Sequence, residues 1–331
     1  MTEFCTGNQA LIDLHLHLDG SLSLQTVREL AAMQGLALPA DDAALSARLR
    51  VDADCRNLND YLAKFPFPVS LLQTAEAIRT AVHRLADELR QQGLLYAEIR
   101  FAPQLHLQKG LTQADVVRAA LEGLHQAAFP ANLILCCIRG TDNLPQNLET
   151  VDLAADKLGQ GVCAIDLAGA EALFPTAMFS EIFRRAHAKG LPCTIHAGEA
   201  DGPDSIRAAL DFGARRIGHG VRSIEDAALL RRLADDGIVL ELCPTSNLHT
   251  CIFDRLEDYP LRRLMDAGVP VTLNTDNMTV SDTTVAREMQ RLAEAIGLTE
   301  SERMQLVRNA AAAAFADEPA KQSLLQQIGR L

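Results

Sequence analysis

The fold can be worked out from one stretch near the N-terminus, Leu11-Ile12-Asp13-Leu14-His15-Leu16-His17-Leu18-Asp19-Gly20. It is typical of a β-strand, because its mostly apolar run ends at a glycine. Side chains alternate along a strand, so Asp13, His15 and His17 point to one face. Two imidazoles in an apolar strand are costly to bury without a partner, and from one face they can reach the same metal ion. The stretch therefore predicts a metal site.

The bulk composition bounds the class of protein. The 331 residues are 48% hydrophobic, which is ample for one large core, and we predict a single domain over residues 1–331. Acidic residues outnumber Lys and Arg by 43 to 31, for a net charge of -12. Such a chain repels polyanions, so we expect a small-molecule partner rather than nucleic acid or a membrane surface. No apolar run is long enough to span a bilayer.

Two features predict a cytoplasmic location. Residues 1–10 lack the basic and apolar regions of a signal peptide. The eight cysteines include no C-x-x-C motif and only one adjacent pair, Cys136-Cys137. We therefore expect them to be reduced and mostly buried thiols.

The rest of the chain repeats a strand–helix pattern. With the opening strand, the predicted strands are 94–101, 133–139, 162–168, 192–196, 216–218, 238–243 and 271–274. The predicted helices are 23–34, 70–92, 112–127, 144–157, 176–189, 204–212, 224–235, 256–267, 282–296 and much of 299–331, whereas 36–69 is predicted to be mainly irregular. Eight such units indicate a parallel (β/α)8 TIM barrel with additional helices after the first strand and at the C-terminus. A doubly wound sheet is the alternative, but the first turn lacks its G-x-G-x-x-G signature.

One segment inside the irregular region has apolar residues at helical spacing. This is Leu58 to Phe65, and it reads either as a helix packed on the main body or as a lid over a pocket.

Polar residues gather where the strands end, which is where barrels build active sites. They are His15, His17, Glu98, Arg100, Arg139, Asp166, Gly169, His196, Glu199, His219, Ser246, Asn247, Asn274, Asp276 and Asn277. Four of the nine histidines thus converge on one rim. The other five, His83, His106, His125, His187 and His249, are predicted to be solvated or capping residues.

Three imidazoles and a carboxylate on that rim suit zinc, which takes nitrogen and oxygen ligands and leaves a position for water. Zinc lowers the pKa of its water to roughly neutral. Glu199 follows His196 by three residues, so it is expected beside the metal, where a carboxyl can shuttle a proton. His219 lies in a Gly-His-Gly turn that allows close approach of a substrate.

At this point the sequence resembles the adenosine deaminase family over nearly its whole length. The matching pieces, in the family's order, are His15-Leu-His17-Leu-Asp19-Gly20-Ser21, Asp166-Leu-Ala-Gly169, His196-Ala-Gly-Glu199, Gly218-His219-Gly220, Cys243-Pro-Thr-Ser-Asn247 and Asn274-Thr-Asp276. The run Tyr61 to Phe65 also resembles the helix that roofs the purine pocket in that family.

The resemblance implies roles for these residues. Zinc, one ion per chain, would be held by His15, His17, His196 and Asp276. A zinc-activated hydroxide would attack C6 of adenosine or 2′-deoxyadenosine and release ammonia to leave inosine or 2′-deoxyinosine. His219 would orient and deprotonate the water, and Glu199 would protonate N1 of the ring. The substrate itself would be bound by His17, Asp19 at the ribose hydroxyl, Gly169 at N3 and Asn277.

Two departures from the family pattern leave alternatives open. Ala170 and Asn277 stand where many members have aspartate. Another 6-aminopurine, such as adenine, AMP or a modified nucleoside, is the main alternative substrate. Asp19 and the absence of Arg or Lys from its loop favour a nucleoside. A catalytically silent purine-binding barrel is the alternative from another class.

Overall fold

The computed structural model describes residues 10–330, and its core is a ring of parallel strands. The strands are β1 (Leu11–His17), β2 (Leu94–Phe101), β3 (Ala131–Ile138), β4 (Val162–Ala168), β5 (Thr194–Ala197), β6 (Arg216–His219), β7 (Val239–Leu242) and β8 (Val271–Leu273). They pair in chain order within two arcs, β1-β2-β3-β4 and β5-β6-β7-β8. Single bridges, Leu16 to Asp276 and Ile165 to Cys193, join the arcs. The predicted (β/α)8 barrel is confirmed.

The junction between the last and first strands lies at the predicted metal site. The backbone N–H of His17 donates to the Asp276 carbonyl at 2.7 Å, and the Asp276 N–H donates to the His15 carbonyl at 2.8 Å. Ring closure therefore brings a residue from the end of the chain beside two residues from its beginning.

Helices surround the ring. They are α1 (Leu24–Met33), α2 (Asp42–Leu49), α3 (Leu58–Leu62), α4 (Pro66–Leu71), α5 (Ala75–Gln91), α6 (Gln113–Gln126), α7 (Leu144–Asp156), α8 (Ser180–Ala188), α9 (Pro203–Asp211), α10 (Ala227–Asp235), α11 (Pro244–His249), α12 (Leu261–Asp266), α13 (Val285–Ile296), α14 (Glu300–Ala313) and α15 (Glu318–Ile328). Helix α5 shows why they pack there. It buries Ile78, Val82, Leu85 and Leu89, which share one face at helical spacing.

The region between β1 and β2 differs from its prediction. Residues 36–69 are not mainly irregular, because they contain α2, α3 and the start of α4. The Asp41 side chain caps α2 by accepting from the Ala44 N–H at 3.0 Å. The predicted helix from Ser70 begins too early, since α4 ends at Leu71 and Thr74 caps a new helix.

Among the later helices, α8 and α12 begin furthest beyond their predicted starts. The helix predicted from Thr176 opens with a 3-10 turn, and α8 starts at Ser180. The helix predicted from Leu256 is shorter, with α12 starting at Leu261. A further helix, α11, follows β7 directly and carries predicted rim residues. The spacing of apolar residues did not indicate where these helices start.

The cysteine prediction is confirmed for most of the described thiols. Cys136, Cys137, Cys163, Cys193 and Cys243 are buried, whereas Cys55 is half-buried and Cys251 exposed. Cys5 lies in residues 1–9, outside the described residues. The prediction that the chain starts without a signal peptide concerns the same segment and stays a prediction. Over residues 10–330, no helix has both the length and the apolar character needed to cross a bilayer.

Candidate active site

A cavity of about 190 Å3 opens at the carboxyl ends of the strands. Its lining includes the predicted residues His17, Asp19, Gly169, His196, Glu199, His219, Asp276 and Asn277. His15 has no exposed surface, and its ring centroid lies 4.5 Å from that of His196. The structure thus brings together the nine residues to which the sequence analysis assigned a metal-binding, catalytic or substrate-binding role.

Four of these side chains form a compact group of potential metal ligands. His17 Nε2 and His196 Nε2 are 3.2 Å apart. Asp276 Oδ1 lies 3.4 Å from both His15 Nε2 and His17 Nε2. The ligand atoms of all four residues lie within 4.8 Å of one another. His15 Nε2 is buried without a hydrogen-bond partner among the described residues. A divalent cation fits this group, because it would satisfy several converging lone pairs at once.

Other buried groups orient these ligands. His15 Nδ1 lies 2.9 Å from Glu241 Oε2, and His196 Nδ1 lies 2.8 Å from Asp166 Oδ2. Carboxylates behind ligating histidines fix the ring orientation and make the outer nitrogen a better ligand. On the other side, the Ser246 hydroxyl donates to Asp276 Oδ2 at 2.6 Å.

An ion-pair network inside the barrel holds those carboxylates. Arg100 contacts Glu241 at 2.8 Å and Asp166 at 3.2 Å, and Arg216 contacts Glu241 at 2.6 Å. Burial alone would raise the pKa of Glu241, but the two guanidinium groups hold it well below its usual range. Glu98 and Arg100 therefore lie in the barrel interior rather than on the cavity wall, and Glu98 pairs with Arg216 at 2.5 Å.

Glu199 is held in a different environment from the other carboxylates. It is 4% exposed. Burial, followed by the negative charges of Asp276 and Glu171, raises its pKa well above the ordinary value. Its contacts from Asn247 Nδ2 and Thr250 Oγ1 are long, at 3.4 and 3.3 Å. A carboxyl whose pKa is raised in this way holds its proton to higher pH, so beside the four potential metal ligands it can deliver that proton to a bound molecule.

His219 faces Glu199 across the cavity, with its Nε2 3.6 Å from Glu199 Oε2. Tyr259 donates to Asn247 Oδ1 at 3.1 Å, which turns the Asn247 amide nitrogen towards His219 Nδ1, also at 3.1 Å. Because Nδ1 accepts, the neutral ring carries its hydrogen on Nε2. His219 and Asp276 both adopt φ 61°, a left-handed conformation that costs energy in non-glycine residues and is concentrated at functional sites.

The segment Leu58 to Phe65 forms α3 and the turn after it. Tyr61 is buried and its hydroxyl lies 2.7 Å from Ser281 Oγ, so the helix packs on the barrel. Leu58, Leu62 and Phe65 also line the cavity and form its apolar side. The segment is therefore a helix packed on the barrel that also forms one wall of the cavity. That it moves as a lid stays a prediction.

The prediction for His106 holds only in part. His106 stands at the C-terminal cap of the 3-10 turn Pro103–Leu105, where its backbone N–H donates to the Pro103 carbonyl. Its ring does not face solvent, because the residue is 1% exposed and the ring centroid lies 5.9 Å from that of Phe101. Burial lowers its pKa to about 4, which keeps it neutral. His125 and His187 are exposed, as predicted.

Sequence reasoning also missed two buried carboxylates near the site. Glu241 stands inside an otherwise apolar strand, Val239-Leu240-Glu241-Leu242, which was the available signal. Glu171 lies two residues beyond Gly169 and had no signal of its own in the pattern of charges.

Comparison with known proteins agrees with this geometry. A family model described as adenosine deaminase matches residues 10–331. An adenosine deaminase of Haemophilus ducreyi is 53% identical over 96% of this chain and 95% of its own length. The chain belongs to the adenosine deaminase family. This is a family of enzymes. The sequence motifs that resemble the family lie around the cavity described above.

Solved structures place this family member among purine deaminases. An adenine deaminase from Arthrobacter aurescens superposes with a TM-score of 0.86 at 26% identity, covering 97% of this chain and 98% of that one. The N6-mAMP deaminase of Arabidopsis also has a TM-score of 0.86 at 26% identity, with 98% of both chains covered. The same barrel therefore serves a free base in one relative and a nucleotide in another.

Proposed function

We propose that this deaminase hydrolyses adenosine and 2′-deoxyadenosine to inosine and 2′-deoxyinosine with release of ammonia. The observation that carries the proposal is that Glu199, buried and with its pKa raised by that burial, shares one cavity with four potential metal ligands. The 53% identity to an adenosine deaminase supports the nucleoside as substrate. A cytosolic location is also proposed, in keeping with the buried thiols.

We assign the ligand role for one zinc ion to His15, His17, His196 and Asp276. Their three nitrogens and one oxygen match the preferences of zinc, and when bound the metal acts as a Lewis acid that makes water a better nucleophile. Glu241 and Asp166 keep the imidazoles of His15 and His196 oriented.

The residues around that group carry out the proton transfers. Attack of water on C6 moves electron density to N1 of the purine, and Glu199 donates its proton there. His219 orients the attacking water by donating from its Nε2–H. In this tautomer the ring cannot also deprotonate the water, as the family resemblance implied, so that proton goes to Asp276. Asp276 accepts a hydrogen bond from that water, while its second oxygen is occupied by Ser246. Asp276 takes one proton from the attacking water and passes it to the amino group at C6. As that group leaves as ammonia, the new C6 hydroxyl returns its proton to Glu199 and becomes the carbonyl of the product.

The rest of the cavity binds the nucleoside. Asp19 is 7% exposed, and its Oδ1 has no hydrogen-bond partner among the described residues, so it is available to a ribose hydroxyl. Gly169 adopts φ 111°, which side-chain-bearing residues rarely adopt, and its backbone is assigned to N3. His17 contacts the substrate beside the metal.

We expect the enzyme to prefer adenosine to AMP by at least about 100-fold in kcat/KM. The cavity lining contains the carboxyl groups of Asp19 and Asp276 but neither lysine nor arginine, so a phosphate would be buried beside like charges with no cation to pair with. Ammonia release from adenosine, 2′-deoxyadenosine, adenine, AMP and N6-methyl-AMP measures the preference. Faster turnover of a nucleotide or of adenine would replace the nucleoside by that substrate, and no release from any of them would indicate a silent barrel.

Asn277 is expected to read N7 of the purine. Its Oδ1 is buried against Gly20, where an added Cβ would come within 1.8 Å, so the amide nitrogen is the donor available to the cavity. N7 is an acceptor, and losing it leaves that donor unpaired at a cost of about 1–3 kcal/mol. We therefore predict that 7-deazaadenosine has a kcat/KM about tenfold to a hundredfold below that of adenosine.

Asn277→Ala supplies the control, because the difference between the two nucleosides should largely disappear in that variant. Equal rates for both nucleosides in the wild type would mean that Asn277 only shapes the turn after β8, in which its carbonyl accepts from the Ser281 N–H at 2.9 Å.

A further inference from the structure

We propose that Glu171 is a positioning residue that holds the backbone of residues 198–201, and thereby Glu199, in place for proton transfer. The inference rests on the proposed function, since it requires Glu199 to be the proton donor. Glu171 follows β4, whereas Glu199 follows β5, so the contact joins two neighbouring loops of the rim.

The Glu171 carboxylate accepts hydrogen bonds from four consecutive backbone N–H groups. Oε2 accepts from Glu199, Ala200 and Asp201 at 3.0, 2.7 and 3.0 Å. Oε1 accepts from Gly198 at 2.7 Å and from the Ser205 hydroxyl at 2.5 Å. The residue is 1% exposed, so these bonds form away from water.

A carboxylate suits this position for a physical reason. Successive N–H groups that converge on one point make an anion-binding nest, and buried amides need an acceptor. A glutamine of the same shape has one acceptor oxygen and an NH2 group that would face N–H donors. Replacing the carboxylate therefore leaves several amides of this loop unsatisfied.

The position of Glu199 depends on its backbone because its side chain is weakly held. Its contacts from Asn247 and Thr250 measure 3.4 and 3.3 Å, longer than the four amide bonds to Glu171. At the start of the loop, Gly198 has φ 70° and packs on Ile206, where an added Cβ would come within 2.4 Å. The loop thus has a fixed entry and a single anionic anchor.

A chain of hydrogen bonds links this anchor to the barrel. Arg139 donates to Thr176 Oγ1 at 2.9 Å and to the His196 carbonyl at 2.6 Å. Thr176 Oγ1 lies 2.7 Å from Ser205 Oγ, whose hydroxyl donates to Glu171. The anchor is therefore tied to the strand that carries His196.

The test is a double-mutant cycle with Glu199, measured with adenosine on the metal-loaded enzyme. Glu171→Gln is expected to lower kcat by about tenfold to a hundredfold, because small misplacements of a catalytic group have effects of that size. KM and metal content should change by less than about threefold, as the metal ligands and substrate contacts are untouched. Glu171→Gln combined with Glu199→Gln should be no slower than Glu199→Gln alone, because a residue that acts through Glu199 adds nothing once the proton donor is gone.

Two further variants complete the experiment. Ser205→Ala removes one bond to Glu171 and should lower kcat by about threefold to tenfold; it decides the question if Glu171→Gln does not fold. Glu88→Gln is the control, because Glu88 accepts from the Ser23 and Thr26 hydroxyls away from the cavity and should affect stability alone.

The outcomes separate this inference from the proposed function. Wild-type kcat in both Glu171→Gln and Ser205→Ala overturns the positioning role. Effects that multiply in the double variant also overturn it, because Glu171 would then act independently of Glu199. Wild-type turnover in Glu199→Gln itself would instead overturn the proton donor of the proposed function, and the positioning role with it.

Discussion

Glu199→Gln should lower kcat for adenosine by at least about 10²–10⁴-fold, the usual contribution of a general acid–base group. Glutamine keeps the shape of the side chain but has no proton to deliver to N1. Fold and metal content should be unchanged, since Glu199 lies outside the four ligating residues. Steady-state kinetics, circular dichroism and elemental analysis on the same preparation measure the three quantities.

The pH profile gives an independent check on Glu199. Burial raises its pKa, so the protonated form persists to higher pH than for an ordinary glutamate and is lost as the pH rises through that pKa. Wild-type kcat/KM should therefore fall on the alkaline side, and Glu199→Gln should lack that decline. Glu181→Gln, at an exposed position of α8, is the matched control and should behave like the wild type. Wild-type turnover in Glu199→Gln would require another proton donor on the rim.

His17→Ala should weaken metal binding by more than about 100-fold, since replacing even a group behind a ligand typically costs 10–100-fold. His17 Nε2 is within 3.4 Å of two other ligating side chains, and alanine leaves that side of the group open. The wild type should contain close to one metal ion per chain, and turnover should fall with metal occupancy.

Elemental analysis after gel filtration and competition with a chelator measure the affinity. His187→Ala, which removes an exposed histidine of α8, is the control and should retain full occupancy. Near-stoichiometric metal in His17→Ala, or full activity in thoroughly metal-free wild type, would contradict the ligand assignment.

Local patterns were enough for the barrel and for most of the reacting groups. The alternation of Asp13, His15 and His17 in an apolar strand is visible without any tertiary contact. Strand β2, at Leu94–Phe101, and strand β4, at Val162–Ala168, lie where their apolar runs predict. Because parallel strands in a barrel end at one rim, the polar residues after them had to converge. The family resemblance then assigned roles to those residues.

Breaks within helices were set by local side-chain caps, and the state of His106 by the packing of its loop. Asp41 caps α2, which the spacing of apolar residues did not predict. Thr74 caps α5, which that spacing had merged with the end of α4. His106 has ordinary loop neighbours in sequence, and only its packing near Phe101 makes it buried and neutral.

The support of the site was decided by tertiary structure alone. Glu241 lies 226 positions from the histidine it orients, and the Arg100 that holds it comes from another strand. Glu171 is recognised only by the backbone amides it anchors, 27 to 30 residues away. Every residue except proline carries a backbone N–H, so the sequence does not indicate which amides will converge on a carboxylate.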